Sequence, residues 1–253
     1  MPQINFTTLP GIPLVKDGDD LVEIILAAAA QADLTFADGD IIVIAQKIVS
    51  KAEGRLIRLA DVTPSAAAVA LAKATEKDPA LVQLILDESS VVMRSKPGVI
   101  IVRHRLGHVG ANAGIDQSNI ETEEGECALL LPVDPDASAK MLQQGLQAAC
   151  GVQLGVLIGD SLNRPWRLGT TGGAIGCAGF QVLNDQRGGQ DMFGRELKVT
   201  MINRADSIAA MATLAMGETD EGTPVAIVRG YAPDADGSSA ADIMRPLEED
   251  LFQ

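Results

Sequence analysis

Apolar residues run along this chain in short stretches whose period changes, and each change marks an element. Residues 4–9 read as a strand closed by Pro10-Gly11, and Asp17-Gly18-Asp19-Asp20 supplies the turn and N-cap of a helix over residues 21–32. Asp38-Gly39-Asp40 then turns the chain into Ile41-Ile42-Val43-Ile44-Ala45, an unbroken apolar run of the length of a strand buried on both faces. Helices follow over residues 65–75 and 79–88, the second with Asp78 as N-cap and Pro79 at its first position. Strands over 91–95 and 99–105 flank Lys96-Pro97-Gly98 as a hairpin. A helix over about 137–149, ended by Gly151, precedes a second buried strand that closes at Asp160. Residues 161–195 are Gly-rich and read as irregular, a length that points to a functional segment. The remainder predicts a strand over 198–203, a helix over 206–216, a strand over 225–229 and a short acidic tail. No internal repeat or low-complexity linker divides the chain.

Composition narrows the function. The 253 residues are 47% hydrophobic, enough for a sizeable core, but only 3% aromatic, which leaves no surface for stacking successive bases. A net charge of −14 repels nucleic-acid backbones and anionic lipid, so neither is an expected partner. Divalent cations and a few basic side chains can still invert that field locally for a small polyanion. Cys127, Cys150 and Cys177 form no Cys-x-x-Cys pair and predict neither disulfides nor zinc, in keeping with a reducing cytoplasm. The longest apolar stretch, residues 24–30, is too short to span a bilayer.

Three carboxylates occupy settings that suit hard cations. Asp116 lies in the polar loop 112–119 after a strand, Asp160 ends the second buried strand, and Glu218 follows Met216-Gly217 at the end of a helix; together they are expected to share a site for Mg²⁺ or Mn²⁺. Lys47, Lys51 and Arg55 follow the first buried strand, where they suit a phosphate chain or an exposed turn paired with acids. The stretch 169–179 carries five glycines and fits an anion cradle or close packing equally, but it is not a P-loop. Arg164-Pro165-Trp166-Arg167 offers two guanidinium groups around the only Trp, suited to a polyanionic or planar ligand or to an Arg–carboxylate cluster. His104 and His108, placed on one extended strand, would lie about 13 Å apart and share no metal.

Taken in order, Ser50-Lys51-Ala52-Glu53-Gly54-Arg55, residues 111–116 (Ala-Asn-Ala-Gly-Ile-Asp), Leu131-Pro132 with Asp134-Pro135-Asp136, Gly159-Asp160, Arg164-Pro165-Trp166-Arg167, Phe193-Gly194-Arg195-Glu196-Leu197 and Met216-Gly217-Glu218 resemble the γ-glutamyl ligases of the deazaflavin coenzyme F-420. The resemblance covers nearly the whole chain and corresponds to a single ligase unit over residues 1–253. It implies a GTP-dependent amide ligase that joins L-glutamate to coenzyme F-420-0 and then adds γ-linked glutamates. Carried over by position, Asp116, Asp160, Ser161 and Glu218 would hold two divalent ions, with room for a monovalent cation. Leu9, Pro10, Gly11, Ile12, Gln46, Lys47, Lys51, Asn119, Met216, Gly217, Thr219, Asp220, Glu221, Gly222 and Thr223 would contact the nucleotide, and Lys51 with Arg164 would neutralise transferring phosphate. Where members have Asp-Thr-Phe-Gly-Arg, this chain has Asp160-Ser161-Leu162-Asn163-Arg164, which keeps the hydroxyl but changes the acceptor side. The implied architecture is α+β, with mixed and antiparallel sheets, flanking helices, two interleaved subdomains and an intertwined homodimer in the cytoplasm. From residue types alone, a non-catalytic binder of a metal-complexed anionic cofactor and a metal-dependent phosphohydrolase are the competing readings.

Overall fold

The computed structural model describes residues 3–118, 125–231 and 237–251. Its elements run β1 (Asn5–Thr8), α1 (Leu21–Gln31), β2 (Asp40–Ala45), α2 (Gln46–Ala52), β3 (Leu56–Arg58), α3 (Ala66–Thr75), α4 (Pro79–Asp87), β4 (Ser89–Lys96), β5 (Val99–His104), β6 (Val109–Ala111), β7 (Cys127–Leu129), α5 (Pro135–Cys150), β8 (Leu154–Asn163), β9 (Thr170–Ala178), β10 (Leu183–Asp185), β11 (Met201–Asn203), α6 (Arg204–Met216) and β12 (Val225–Arg229). The result is a mixed α/β protein with several sheets.

The largest sheet has the order β1-β12-β2-β8-β9, in which β2 and β8 run parallel and every other neighbour is antiparallel. Alternation on β2 explains the burial of both faces. Ile42 and Ile44 enter one core with Ile25 and Leu146 from α1 and α5. Ile41 and Val43 enter another with Ala205, Ala209 and Ala212 of α6. At the edge of β2, buried Asp40 accepts from Arg229 Nε at 2.8 Å and Nη2 at 2.6 Å, which neutralises a carboxylate that has left water. A third core joins α3 and α4 to β5 and β7, all from the segment between β2 and α5.

Most predicted elements are present within a few residues, and their ends have local causes. Asp20 accepts from Val22 N at 2.8 Å, and Asp78 from Ala80 N at 2.8 Å, as N-caps. The predicted start of α5 shifts to Pro135, because Asp134 is the cap and accepts from Ala137 N. Likewise α6 starts at Arg204, with Asn203 capping through Asp206 N. The basic stretch after β2 is the helix α2, not a turn.

One expectation fails in part. Residues 161–195 are not irregular throughout: β8 continues to Asn163, β9 pairs with it through Asn163 and Thr170, and the irregular backbone is confined mainly to 164–169, 179–182 and the stretch after β10. The glycines of β9 are there for close packing. A Cβ on Gly172 would strike Ala209 O and Thr213 Oγ1 of α6, and one on Gly176 would strike Pro135 O of α5. The alternative left open for this stretch is thereby decided in favour of packing.

Candidate active site

Strand β2 ends with Ala45 registered against Gly159 of β8, so the start of α2 and the outer half of β8 leave the sheet together. Ligands in open α/β sheets collect at such carboxyl ends. A cavity of about 370 Å³ opens there, bounded by residues 12–15, by 45–48 and Lys51, by 159–161, and by Thr213 with 216–224. A larger cavity of about 580 Å³ lies at the opposite ends of the same strands, lined by Gly39, Leu154 and the amides of Gln143, Gln147 and Gln153. Gln143 and Gln147 spend their amides on Leu154 O, and the carboxylates of Asp134 and Asp136 cap backbone N–H groups, so the smaller cavity is the chemical one.

The acids divide by environment. Burial opposes ionisation of Asp116, yet Lys47 Nζ at 2.6 Å and Ser118 N–H at 2.7 Å overcome it and hold the carboxyl below its ordinary range. Lys47 also donates to Ser118 Oγ at 3.1 Å, which locks the loop of Asp116 to α2. Asp160 is pushed up to about 7, first by loss of water around the carboxyl and then by the negative charge of Asp116; Ser161 N–H, donating at 2.8 Å, Lys47 and Gln46 work against the shift. Although the residue keeps a partly open edge, its carboxyl is enclosed by protein, and the enclosure sets its chemistry. Buried Gln46 accepts from Ser50 Oγ at 2.8 Å.

The loop after α6 is wound on itself. Gly217 takes φ +78, and a Cβ there would meet the Glu221 carboxylate. Thr219 N donates to Glu221 Oε2 at 2.8 Å, and Thr223 Oγ1 donates to Met216 O at 2.9 Å. Glu218 accepts from Thr170 Oγ1 at 2.7 Å, so the loop is tied to the outer end of the β8–β9 hairpin, where Thr170 pairs with Asn163.

Of the residues expected at the nucleotide, Ile12, Gln46, Lys47, Lys51, Met216, Gly217, Thr219, Asp220, Glu221, Gly222 and Thr223 line this cavity. Leu9, Pro10 and Gly11 do not; Leu9 is a core residue whose N–H donates to Val225 O. Asp160, Ser161 and Glu218 line the wall, while Asp116 reaches it through Lys47. Arg164 stands outside the lining, and Asn119 lies outside the described residues. Pro13, Leu14, Val15 and Thr213 line the cavity without having been singled out, because apolar and hydroxyl side chains carry no distinctive spacing.

The family model described as F420-0:Gamma-glutamyl ligase matches residues 11–230. The chain belongs to the F420-0 γ-glutamyl ligase family. It is 44% identical over 253 residues to the coenzyme F420:L-glutamate ligase of Methanothermobacter thermautotrophicus, with 99% of each chain covered. The corresponding ligase of Methanopyrus kandleri is 42% identical, covering 100% of this chain and 99% of its own, and that of Methanocaldococcus jannaschii is 42% identical over 96% and 94%.

The fit to divalent cations follows from donor chemistry. Asp116, Asp160, Ser161 and Glu218 offer hard oxygens, and the unfavourable charge shared by Asp116 and Asp160 is the situation a cation relieves. Among the described residues, no three His, Cys, Asp or Glu side chains converge closely enough to hold an ion alone, so the expected triad of acids is not assembled by side chains only. Mg²⁺ ordinarily completes its shell with water and substrate phosphate oxygens.

Proposed function

We propose that the protein is a GTP-dependent ligase that joins L-glutamate to the carboxylate of coenzyme F-420-0 and extends it with γ-linked glutamates. The observation that carries the reading is the meeting of Lys47–Asp116, Asp160–Ser161 and the loop 216–224 around one cavity at the ends of the parallel strands. Asp116, Asp160, Ser161 and Glu218 would hold divalent ions, which would supply Lewis-acid neutralisation of phosphate charge. Lys51 lines the same cavity and adds a cation for the nucleotide phosphates.

In this mechanism an oxygen of the acceptor carboxylate attacks the γ-phosphorus, the bond to the β-phosphate oxygen breaks, and GDP leaves. An acyl phosphate results. The glutamate amine then attacks the acyl carbon, the carbon–oxygen bond to phosphate breaks, and the amine loses a proton as phosphate departs. The tightly wound loop 216–224 positions the nucleotide, and enclosure of Asp160 keeps bulk water from the reacting carboxyl.

A homodimer in the cytoplasm belongs to the same reading. Exposed apolar side chains on residues 186–200 and the outer face of α6 support it: Met192 is 95% exposed, Phe193 84%, Val199 86% and Leu214 78%. No helix among the described residues is long and apolar enough to cross a membrane.

The test is phosphate release from GTP with Mn²⁺ or Mg²⁺, with and without F-420-0 and L-glutamate, with products followed by mass. Added glutamyl units that require every component are the expected result. Phosphate released without a new amide would instead make the protein a hydrolase, and binding with neither product a carrier.

A further inference from the structure

A buried carboxylate that takes no part in the chemistry holds the far end of α2. Glu88, the cap at the end of α4, is 5% exposed. Its Oε1 lies 3.1 Å from Arg55 Nη2, and its Oε2 lies 3.0 Å from Arg105 Nη2 and 3.4 Å from His104 Nε2. His104 Nδ1 accepts from Leu106 N at 3.0 Å, so the neutral ring carries its proton on Nε2, which faces Glu88. Burial opposes ionisation of Glu88, but His104, Arg55 and Arg105 overcome it and keep the carboxyl below its ordinary range. An ion cluster of this kind gains little stability over apolar packing, because each ion has lost water. Its constraint on Arg55 is the more consequential effect.

Arg55 joins the cluster to the site. Gly54, at φ +65, ends α2 in a Schellman turn, in which Gly54 N donates to Lys51 O at 3.0 Å and Arg55 N to Ser50 O at 2.9 Å. The Arg55 guanidinium is held between two buried acceptors, donating through Nε to Leu131 O at 2.9 Å and through Nη2 to Glu88. Lys51, inside the same turn, lines the active-site cavity, and Arg55 does not. Of the two roles open to Arg55, contact with phosphate and pairing with an acid, the geometry selects the second. The other end of α2 is held independently, by Lys47 on Asp116.

We propose that Glu88 is a positioning residue for the nucleotide: through Arg55 it fixes the last turn of α2, and with it Lys51. The identity of the nucleotide rests on the ligase reading above. Without the charge of Glu88, two guanidinium groups would face each other around a neutral group, and the Schellman turn would pass any shift of Arg55 directly to Lys51. A misplacement of about 1 Å at a reacting centre can cost about a hundredfold.

Mg²⁺-dependent binding of GTP, followed by calorimetry without acceptor or glutamate, tests this directly. Glu88→Asp keeps the charge but withdraws it by one methylene group, and Arg55→Lys keeps the charge but loses the fork that reaches both acceptors. Each should raise the Kd and KM for GTP about tenfold, with the KM for glutamate near the wild-type value. Arg105→Gln removes a cation from the same carboxylate while leaving Arg55 paired, and should lower the melting temperature without moving the GTP Kd. Added to Lys51→Met, Glu88→Asp should weaken GTP binding no further, since the two residues act as one unit. If Glu88→Asp does not fold, Arg55→Lys in the same cycle decides. Unchanged GTP affinity in the folded variants, effects that add to that of Lys51→Met, or an equal loss in Arg105→Gln would each overturn the proposal and leave the cluster a brace for the fold. A wild type that binds GTP but joins no glutamate would sink the ligase reading alone, because the Kd values still decide the role of Glu88. A wild type that binds no GTP would overturn both.

Discussion

Lys47 Nζ lies 2.6 Å from Asp116 Oδ2, a contact that joins the first residues of α2 to a loop 69 positions later and sets the charge of the site. Both partners are about one-quarter exposed, so the pair is neither a screened surface contact nor a fully desolvated one.

Removing the cation should expose what it holds down. In Lys47→Met, burial of Asp116 goes unopposed except by Ser118, and its carboxyl should rise from below its ordinary range. In the wild type, a depressed folded pKa means that Asp116 contributes stability above its unfolded value, lost as pH falls through the folded one. The variant should lose that contribution, and cation affinity should fall with it. Carboxyl titration by NMR checks the first effect, and Mn²⁺ binding by electron paramagnetic resonance the second. An unshifted Asp116 would mean that Ser118 alone holds the charge.

Asp160 sets stability against function. Its carboxyl is pushed up to about 7, so in the metal-free protein the folded state keeps a proton that the unfolded chain releases near pH 4. Stability therefore falls as pH rises from about 4 to 7. Asp160→Asn removes the charge and should raise metal-free stability at pH 8 by roughly 2 kcal/mol, a figure reduced for the open edge of the residue. The same variant should lose on the order of a hundredfold in turnover, about 3 kcal/mol of transition-state stabilisation. Thermal melts in chelator and rates at saturating metal measure the two sides, and full turnover would remove Asp160 from the reaction.

The sequence made the buried strands legible because β2 and the first half of β8 are apolar on both faces, a pattern that only a covered central strand produces. It made Asp160 legible because that residue closes the apolar run of β8. It failed at β9, where glycines that look like a loop are required by backbones of α5 and α6 brought close in space, a condition no local pattern records. It did not show that Asp116 pairs with Lys47, distant in sequence, nor the places of Thr213 and Thr170, which depend on where α6 and the β8–β9 hairpin come to lie.

Gly172→Ala tests the packing role of β9. The added Cβ would press on Ala209 O and Thr213 Oγ1, backbone and a side chain that lines the cavity, so α6 must shift. Overpacking of this kind costs about 1–3 kcal/mol. Because α6 carries the loop 216–224, nucleotide affinity should weaken as well. Gly169→Ala, with open space around its Cβ but φ +90, should cost only backbone strain of about 1 kcal/mol and spare the nucleotide. Urea unfolding with GTP titration separates the two variants; equal nucleotide affinity in both would show that α6 tolerates the methyl group.

The two histidines provide a pH handle outside the chemistry. Arg105–Gly107 turns β5 back, so the His104 and His108 rings stack 4.8 Å apart and 8° from parallel, where a single extended strand would have separated them. Glu88 lies 3.4 Å from His104 Nε2 and also holds Arg55 and Arg105, whereas neither ring nitrogen of buried His108 has a hydrogen-bond partner among the described residues. Burial, followed by the neighbouring His104, pushes His108 down to about 4. Between pH 6.5 and 4 the unfolded chain takes up a proton that the folded one refuses, so stability falls with acidification by about 3 kcal/mol. His108→Phe keeps a flat ring in the stack and removes the proton site. Its stability should therefore hold nearly level through that window, after a fixed repacking cost of about 1 kcal/mol. Urea midpoints from pH 7 to 4.5 decide it: parallel curves for variant and wild type would show that His108 does not carry the acid sensitivity, and Glu88, held below its ordinary range, would lose its contribution only at still lower pH.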